Sequence, residues 1–145
     1  MEMTPEEETF LQNSSNAAPS SESFPGRALV LLVEDDRALR RYLEIVLERA
    51  GYNVISAADG LEAMKLALTS PIDIVVTDAM MPNLNGYQLC RFLKNSSQLS
   101  HLPIVLLSAR EPKEGSWERE QADAFLAKPV SAQDLTDCLE RLLPA

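Results

Sequence analysis

The hydrophobic positions of this chain follow two alternating patterns from residue 28 onward. Short continuous apolar runs, typical of strands that are covered on both faces, alternate with stretches whose apolar residues recur at helical spacing. The runs predict strands at 28–33, 53–57, 72–77, 104–107 and 124–127, and the periodic stretches predict helices at 39–50, 60–68, 86–94 and 131–142. The segment between the last two strands has room for one more short helix. This alternation predicts an α/β protein, a doubly wound parallel sheet with helices on both faces.

Polar residues beside the helical stretches mark where the helices begin and end. Asp36 and Asp59 precede two of them and are predicted N-caps, because their carboxylates can accept hydrogen bonds from the first turn. Gly51 is predicted to end the first helix. Ser131 and Asp134 are predicted to open the last helix as a capping box.

Composition separates a leader from the rest of the chain. Residues 1–27 carry a charge of -4 out of the formal net charge of -9, and the middle of this stretch has almost no apolar residues. Such a segment cannot bury enough surface to offset its ordering entropy. We therefore predict a disordered, acidic and serine-rich leader at 1–27 and one folded domain at 28–145.

Charge and hydropathy exclude several classes of function. The chain has 13 basic and 22 acidic residues, which argues against direct nucleic-acid binding. It has neither an apolar run of membrane-spanning length nor the basic start of a signal peptide, so we expect a cytoplasmic protein without membrane association. Cys90 and Cys138 are interpreted as reduced core thiols, and His101 as a surface residue.

The residues that follow the predicted strands carry the candidate chemistry. Glu34 and Asp35 follow the first strand, Asp78 the third, Ser108 the fourth and Lys128 the fifth. Right-handed crossovers bring the carboxyl ends of parallel strands to one edge of the sheet, where ligands bind in such folds. We therefore expect three carboxylates, one hydroxyl and one ammonium in a single cleft.

Three neighbouring carboxylates are costly to ionise together unless a cation compensates their charge. Mg²⁺ prefers oxygen ligands and often lies beside phosphate groups. Lys128 and Ser108 could contact phosphoryl oxygens, as in other phosphoryl-transfer sites. Asp78, on the predicted central strand, is the candidate nucleophile.

The sequence resembles the receiver domain of bacterial two-component response regulators over about residues 28–143. The resemblance rests on four motifs: Leu-Leu-Val-Glu-Asp-Asp at 31–36, Thr-Asp-Ala-Met-Met-Pro-Asn-Leu-Asn-Gly at 77–86, Leu-Leu-Ser-Ala at 106–109 and Phe-Leu-Ala-Lys-Pro at 125–129. It implies a flavodoxin-like sheet with strand order 2-1-3-4-5. It also implies that Asp78 accepts a phosphoryl group from a histidine kinase or a histidine phosphotransfer protein.

The same resemblance assigns roles to individual residues. Metal binding is implied for Glu34, Asp35, Asp78 and the backbone carbonyl of Met80, phosphoryl binding for Ser108 and Lys128, and a change of position on phosphorylation for Phe125. A cis peptide bond is implied between Lys128 and Pro129. Such a protein is a switch that acts on a downstream protein, and it is not a conventional enzyme, although it phosphorylates and dephosphorylates itself with Mg²⁺.

The chain also departs from the usual pattern of this family. The stretch at 109–124 is short and contains Pro112 and Gly115, which leaves room for only a short helix between the fourth and fifth strands. Trp117 within it is either a partner anchor or a residue that packs this helix onto the sheet. Met80 and Arg110 occupy positions that are polar or acidic in relatives that lose their phosphoryl group quickly, so we expect a long-lived phosphorylated state.

Two other classes of protein, a phosphatase and a flavoprotein, fit this sequence less well than a receiver does. A phosphatase of the haloacid dehalogenase type needs a second acid two residues after its nucleophile, and position 80 is Met. A flavin-binding flavodoxin needs a phosphate loop rich in Ser, Thr and Gly after the first strand, and this chain lacks such a loop there. Two alternatives stay open: a receiver-like interaction module that is never phosphorylated, and an N-terminal fragment of a longer regulator.

Overall fold

The structure is a computed structural model that describes residues 26–81, 83–109 and 122–144. Three predictions fall outside the described residues. They are the predicted disorder of the leader, of which residues 1–25 are not described, the short helix with Trp117 between the fourth and fifth strands, and the role of Arg110.

Nine helices and strands lie in the described part of the chain. Their bounds are β1 Leu29–Val33, α1 Arg37–Arg49, β2 Asn53–Ala57, α2 Gly60–Thr69, β3 Ile74–Asp78, α3 Gly86–Asn95, β4 Ile104–Ser108, β5 Ala124–Ala127 and α4 Ala132–Leu142. The sequence therefore predicted the type and order of each of these elements, with most boundaries within one or two residues.

The five strands form one parallel sheet in the order β2-β1-β3-β4-β5. This confirms the predicted α/β fold class and strand order. The central strand β3 pairs with β1 on one side and with β4 on the other, and Asp78 lies opposite Leu107 in this register. Ser108 in turn lies opposite Ala127 of β5. Because all strands run the same way, the residues that follow them lie at one edge of the sheet.

Two apolar layers cover the sheet, one on each face. Alternate residues of a strand point to opposite faces, so Leu31 packs with α2 and α3 while Leu32 packs with α1 and α4. Strands β1, β3 and β4 are buried throughout. A strand that is covered on both faces needs apolar residues at consecutive positions, which explains the continuous runs in the sequence.

The helix caps agree with the prediction at three positions. Asp36 accepts a hydrogen bond from the Leu39 amide at 3.0 Å, Asp59 from the Glu62 amide at 2.9 Å, and Ser131 from the Asp134 amide at 3.0 Å.

At Ser131 the structure forms only this first half of the predicted capping box. A reciprocal box is formed instead at α3, where Asn85 and Gln88 each accept a hydrogen bond from the other's backbone amide, at 2.9 and 2.8 Å. A glutamine side chain reaches back to the cap more easily than the shorter aspartate.

The third strand differs from the prediction at both ends. It covers Ile74–Asp78 rather than 72–77, so Asp78 is the last residue of the strand. At the other end, Asp73 accepts a hydrogen bond from the Leu29 amide at 2.8 Å, which places a polar connection where the apolar pattern suggested strand. The pattern could not show this contact, because the two residues are far apart in the sequence.

Both cysteines are buried free thiols, as predicted. Burial raises the pKa of Cys90 to about 12, because the apolar surroundings disfavour the thiolate. His101 is exposed, which agrees with its interpretation as a surface residue. Among the described helices, each is too short or too polar to cross a bilayer.

Candidate functional site

The loop after β1 presents two carboxylates at the edge of the sheet. Glu34 is 1% exposed and its amide donates to the carbonyl of Ala57 at 3.1 Å, which extends the parallel ladder by one residue. One carboxylate oxygen of Glu34, Oε2, accepts a hydrogen bond from the Asp36 amide at 3.1 Å. Asp35, between Glu34 and Asp36 in the chain, is exposed. The loop therefore holds one carboxylate inside the cleft and one at its mouth.

Asp78 lies beside this loop because β3 is the direct neighbour of β1. Asp78 is 5% exposed, and the amide of Met80 lies 3.4 Å from its Oδ1. The backbone is held by the bond from the Ala79 amide to the Leu107 carbonyl at 2.8 Å. The carboxylate therefore projects from a well-ordered strand end, with little access to solvent.

Lys128 reaches the cleft from the end of β5. Its amide donates to the carbonyl of Ser108 at 2.9 Å, and the peptide bond to Pro129 is cis, as the resemblance implied. Its ammonium nitrogen, Nζ, lies 3.0 Å from Asp78 Oδ1 and 3.5 Å from Glu34 Oε1. One cation thus contacts two carboxylates at the ends of two different strands.

The charges in this cleft shift the pKa values of two groups. Burial raises the pKa of Glu34, and the neighbouring Asp78 and Asp35 carboxylates raise it further, against the opposing effects of the Asp36 amide and Lys128. Burial by itself would lower the pKa of Lys128, but Asp78 and Glu34 together raise it. The cleft therefore keeps its ammonium charged and has excess negative charge beside it.

The arrangement fits a divalent cation. One carboxylate oxygen from each of Glu34, Asp35 and Asp78 lies within 4.8 Å of the other two. Glu34 Oε1 is buried and has no hydrogen-bond donor among the described residues, since its contact with Lys128 is a longer ion pair. A buried carboxylate oxygen without a donor is costly, and an oxygen-seeking cation would satisfy it.

The remaining predicted residues surround the same strand ends. Ser108 is buried at the end of β4, one strand away from Asp78. Met80 is 67% exposed just beyond Asp78. Phe125 is half-buried on β5 and packs against the core layer of α2 and α3. Apart from Phe125, which lies inside its strand, the predicted site residues therefore lie together at one edge of the sheet.

Sequence reasoning missed one residue that contacts this site. Arg40, in the first turn of α1, donates a hydrogen bond from its guanidinium to the backbone carbonyl of Glu34 at 2.7 Å. One signal could have drawn attention to it. Basic residues are unfavourable near the N-terminus of a helix, yet α1 has Arg37 and Arg40 there and no acidic residue in its first turn.

Gly86 allows the loop that follows β3 to return close to the strand end. Its amide donates to the Ala79 carbonyl at 3.0 Å, and a Cβ at this position would overlap the carbonyl oxygen of Asp78 and lie 2.9 Å from the Cα of Ala79. Both are backbone atoms, so the strand end itself would have to move.

We expect Gly86→Ala to lower the free energy of unfolding by about 1–3 kcal/mol, the usual range for overpacking. In an ordinary helical position the same substitution would be stabilising. Urea denaturation of both proteins measures the difference. An unchanged or increased free energy of unfolding would show that the close approach of backbone atoms is not required.

The fold and the cleft together define a class of protein. The chain is a doubly wound α/β protein with an acidic, cation-compatible cleft that also contains a paired lysine. A family model described as the response regulator receiver domain matches residues 30–140. The chain belongs to this family, the receiver domains of two-component systems, which pair with histidine kinases.

Curated relatives include both short and long proteins. Protein PilG of Pseudomonas aeruginosa is 34% identical over 122 residues, which are 80% of this chain and 87% of PilG. The response regulator MprA of a Mycobacterium species is 38% identical over 116 residues, 79% of this chain but 50% of MprA. The chain thus spans about half the length of MprA and most of PilG.

Solved structures agree in fold over most of the chain. Chemotaxis protein CheY4 of Vibrio cholerae superposes with a TM-score of 0.76 at 32% identity, covering 81% of this chain and 100% of CheY4. The receiver domain of a sensor histidine kinase from Pseudomonas aeruginosa, with a magnesium ion coordinated in its active-site cleft, gives 0.73 at 29% identity, with coverage of 81% and 98%. TrrA of Thermotoga maritima, in complex with Mg²⁺ and BeF, gives 0.73 at 25% identity, with coverage of 80% and 99%.

Proposed function

We propose that this receiver accepts a phosphoryl group on Asp78, from a phosphohistidine of a sensor kinase or of a phosphotransfer protein. The observation that carries the proposal is the double contact of Lys128 with Asp78 and Glu34. It places the ammonium within hydrogen-bonding distance of the proposed nucleophile and in an ion pair with a second carboxylate of the acidic cleft. We assign this role to a domain formed by residues 28–145.

The transfer is a substitution at phosphorus. An Oδ oxygen of Asp78 forms the new bond to phosphorus, while the bond between phosphorus and the histidine nitrogen breaks and leaves its electron pair on that nitrogen. Lys128 is placed to neutralise charge on the phosphoryl oxygens, and Ser108 to donate a hydrogen bond to them. Burial of Asp78 at 5% exposure limits competition from solvent.

Glu34, Asp35 and Asp78, together with the Met80 carbonyl, would hold Mg²⁺. The bound cation supplies positive charge that offsets the repulsion between the carboxylates and the incoming phosphoryl group. Support comes from the spacing of the three carboxylates and from the buried Glu34 oxygen without a donor. The magnesium in two solved relatives supports Mg²⁺ as the ion that this cleft would hold.

The consequence of phosphorylation is a switch rather than turnover of a substrate. Asp78 is both the acceptor and the group from which water later removes phosphate, so the protein catalyses only its own modification. Phe125 lies on β5 opposite Leu106 and packs against the core layer of α2 and α3, where a movement would change the surface offered to a downstream protein. We propose that the protein acts in the cytoplasm, as a free switch or as the receiver part of a longer regulator.

The direct test is to incubate the whole chain with acetyl phosphate in the presence and absence of Mg²⁺ and to follow its mass. We expect one phosphoryl group per chain, and only with Mg²⁺. A chain that binds Mg²⁺ but gains no phosphoryl group would instead support the interaction module that is never phosphorylated.

The phosphorylated state is expected to last much longer than seconds. Hydrolysis needs a water held in line with the phosphorus, and Met80, 67% exposed beside Asp78, offers that water no useful hydrogen bond. We expect Met80→Asn to speed loss of the phosphoryl group severalfold, measured on the isolated protein after removal of acetyl phosphate. Leu68→Asn is the control, since Leu68 is 54% exposed on α2 and does not belong to the cleft. Rapid loss from the wild type, or equal rates in the two variants, would contradict this role of Met80.

A further inference from the structure

We infer that Arg40 is a positioning residue for the metal-binding carboxylates, and that it acts by fixing the backbone on which Asp35 is carried. The inference rests on the proposed metal site and adds to it a residue that does not contact the metal. Arg40 donates from its guanidinium to the carbonyl oxygen of Glu34 at 2.7 Å, and this contact is partly buried. A charged donor at this distance makes one of the stronger hydrogen bonds found in proteins.

This bond is one of two that hold the peptide groups on either side of Asp35. The carbonyl of Glu34 belongs to the peptide group before Asp35, and it accepts from Arg40. The amide of Asp36 belongs to the peptide group after Asp35, and it donates to the Glu34 carboxylate at 3.1 Å. With both groups held, the Cα of Asp35 is fixed, and its exposed side chain leaves the backbone in one direction. Without Arg40, the first of these groups loses the side chain that donates to it.

The position of Arg40 in the chain supports a specific role. An arginine in the first turn of a helix opposes the helix dipole, and this contribution to stability is unfavourable. Arg40 also brings a positive charge toward a site that would bind a cation. Both local rules oppose an arginine here, so its short hydrogen bond to the metal-binding loop is the interaction that accounts for its presence.

Positioning and simple charge predict opposite effects on Mg²⁺ binding. If Arg40 acts only through its charge, removing it lowers repulsion and tightens Mg²⁺ binding. If it positions the loop, removing it loosens one carboxylate and weakens binding, as the loss of residues behind metal ligands commonly does. The sign of the change therefore decides between the two explanations.

The experiment compares Arg40→Met with Arg41→Met by Mg²⁺ titration of the full chain, followed by NMR amide shifts and calorimetry. Arg41 is the matched control, because it is the next residue of α1, carries the same charge and pairs on the surface with Glu44 at 3.1 Å. We expect Arg40→Met to weaken Mg²⁺ binding about tenfold. Arg41→Met should keep the wild-type affinity, and the thermal unfolding of each variant reports whether it is folded.

Arg40→Lys keeps the charge and a donor, and it provides a second test should Arg40→Met fail to fold. We expect its Mg²⁺ affinity to stay within about twofold of the wild type, because one lysine donor can replace the single bond that Arg40 makes. Unchanged or tighter binding in folded Arg40→Met, or an equal loss in Arg41→Met, would overturn the inference. A wild-type chain that binds no Mg²⁺ would instead contradict the proposed function itself.

Discussion

Replacing Asp78 with asparagine is expected to abolish phosphorylation by acetyl phosphate and Mg²⁺ while the fold stays intact. The amide is neutral and is a far weaker nucleophile than a carboxylate, so the bond to phosphorus cannot form. Its carbonyl oxygen can still accept from Lys128 and from the Met80 amide, which lie 3.0 and 3.4 Å from Oδ1. Mass spectrometry after incubation measures the modification, and far-ultraviolet circular dichroism reports the fold.

Asp59→Asn is the control for this experiment. Asp59 caps α2 by accepting from the Glu62 amide at 2.9 Å, and asparagine caps helices equally well. The control removes one carboxylate outside the cleft and should be phosphorylated like the wild type. If Asp78→Asn still gained a covalent phosphoryl group, another residue would be the acceptor.

Lys128→Met is expected to slow phosphorylation by about 100-fold or more, the usual effect of losing a donor that stabilises developing charge. The methionine keeps a similar apolar stem, but the charge that would contact the phosphoryl oxygens is lost. The substitution also leaves Asp78 and Glu34 without the ammonium that lies 3.0 and 3.5 Å from them. We therefore expect a lower free energy of unfolding in the absence of Mg²⁺ as well.

Lys94→Met is a closely matched control for Lys128→Met. The side chain of Lys94 pairs with Asp123 at 3.1 Å. Its exposure of 27% is close to the 25% of Lys128. Both variants lose one ion-paired lysine, but only one of them loses it from the cleft. Initial rates of phosphorylation at fixed acetyl phosphate measure the difference. Equal rates in the two variants would show that Lys128 has no special role in transfer.

The sequence by itself determined the fold of the described residues to a large extent. Strands such as β1 and β4 are apolar at consecutive positions because both faces of the sheet are covered, and helices such as α1 have one apolar face because only one side packs on the sheet. These are local patterns that a linear reading can detect. The candidate site could be predicted for the same reason, since parallel strands place Glu34, Asp78 and Lys128 at a common edge.

Only the tertiary structure decided how these residues contact one another. Lys128 lies 3.0 Å from Asp78 and 3.5 Å from Glu34, and these distances depend on how the strands pair in the sheet, which no local pattern encodes. The contact from Arg40 to the Glu34 carbonyl could not be predicted from the sequence, because an arginine on a helix is usually solvated. Hydrophobic patterns report which residues are buried. A hydrogen bond from a side chain to a distant backbone group forms only if the donor and acceptor are placed to within a few tenths of an ångström. That placement exists only once the chain has folded.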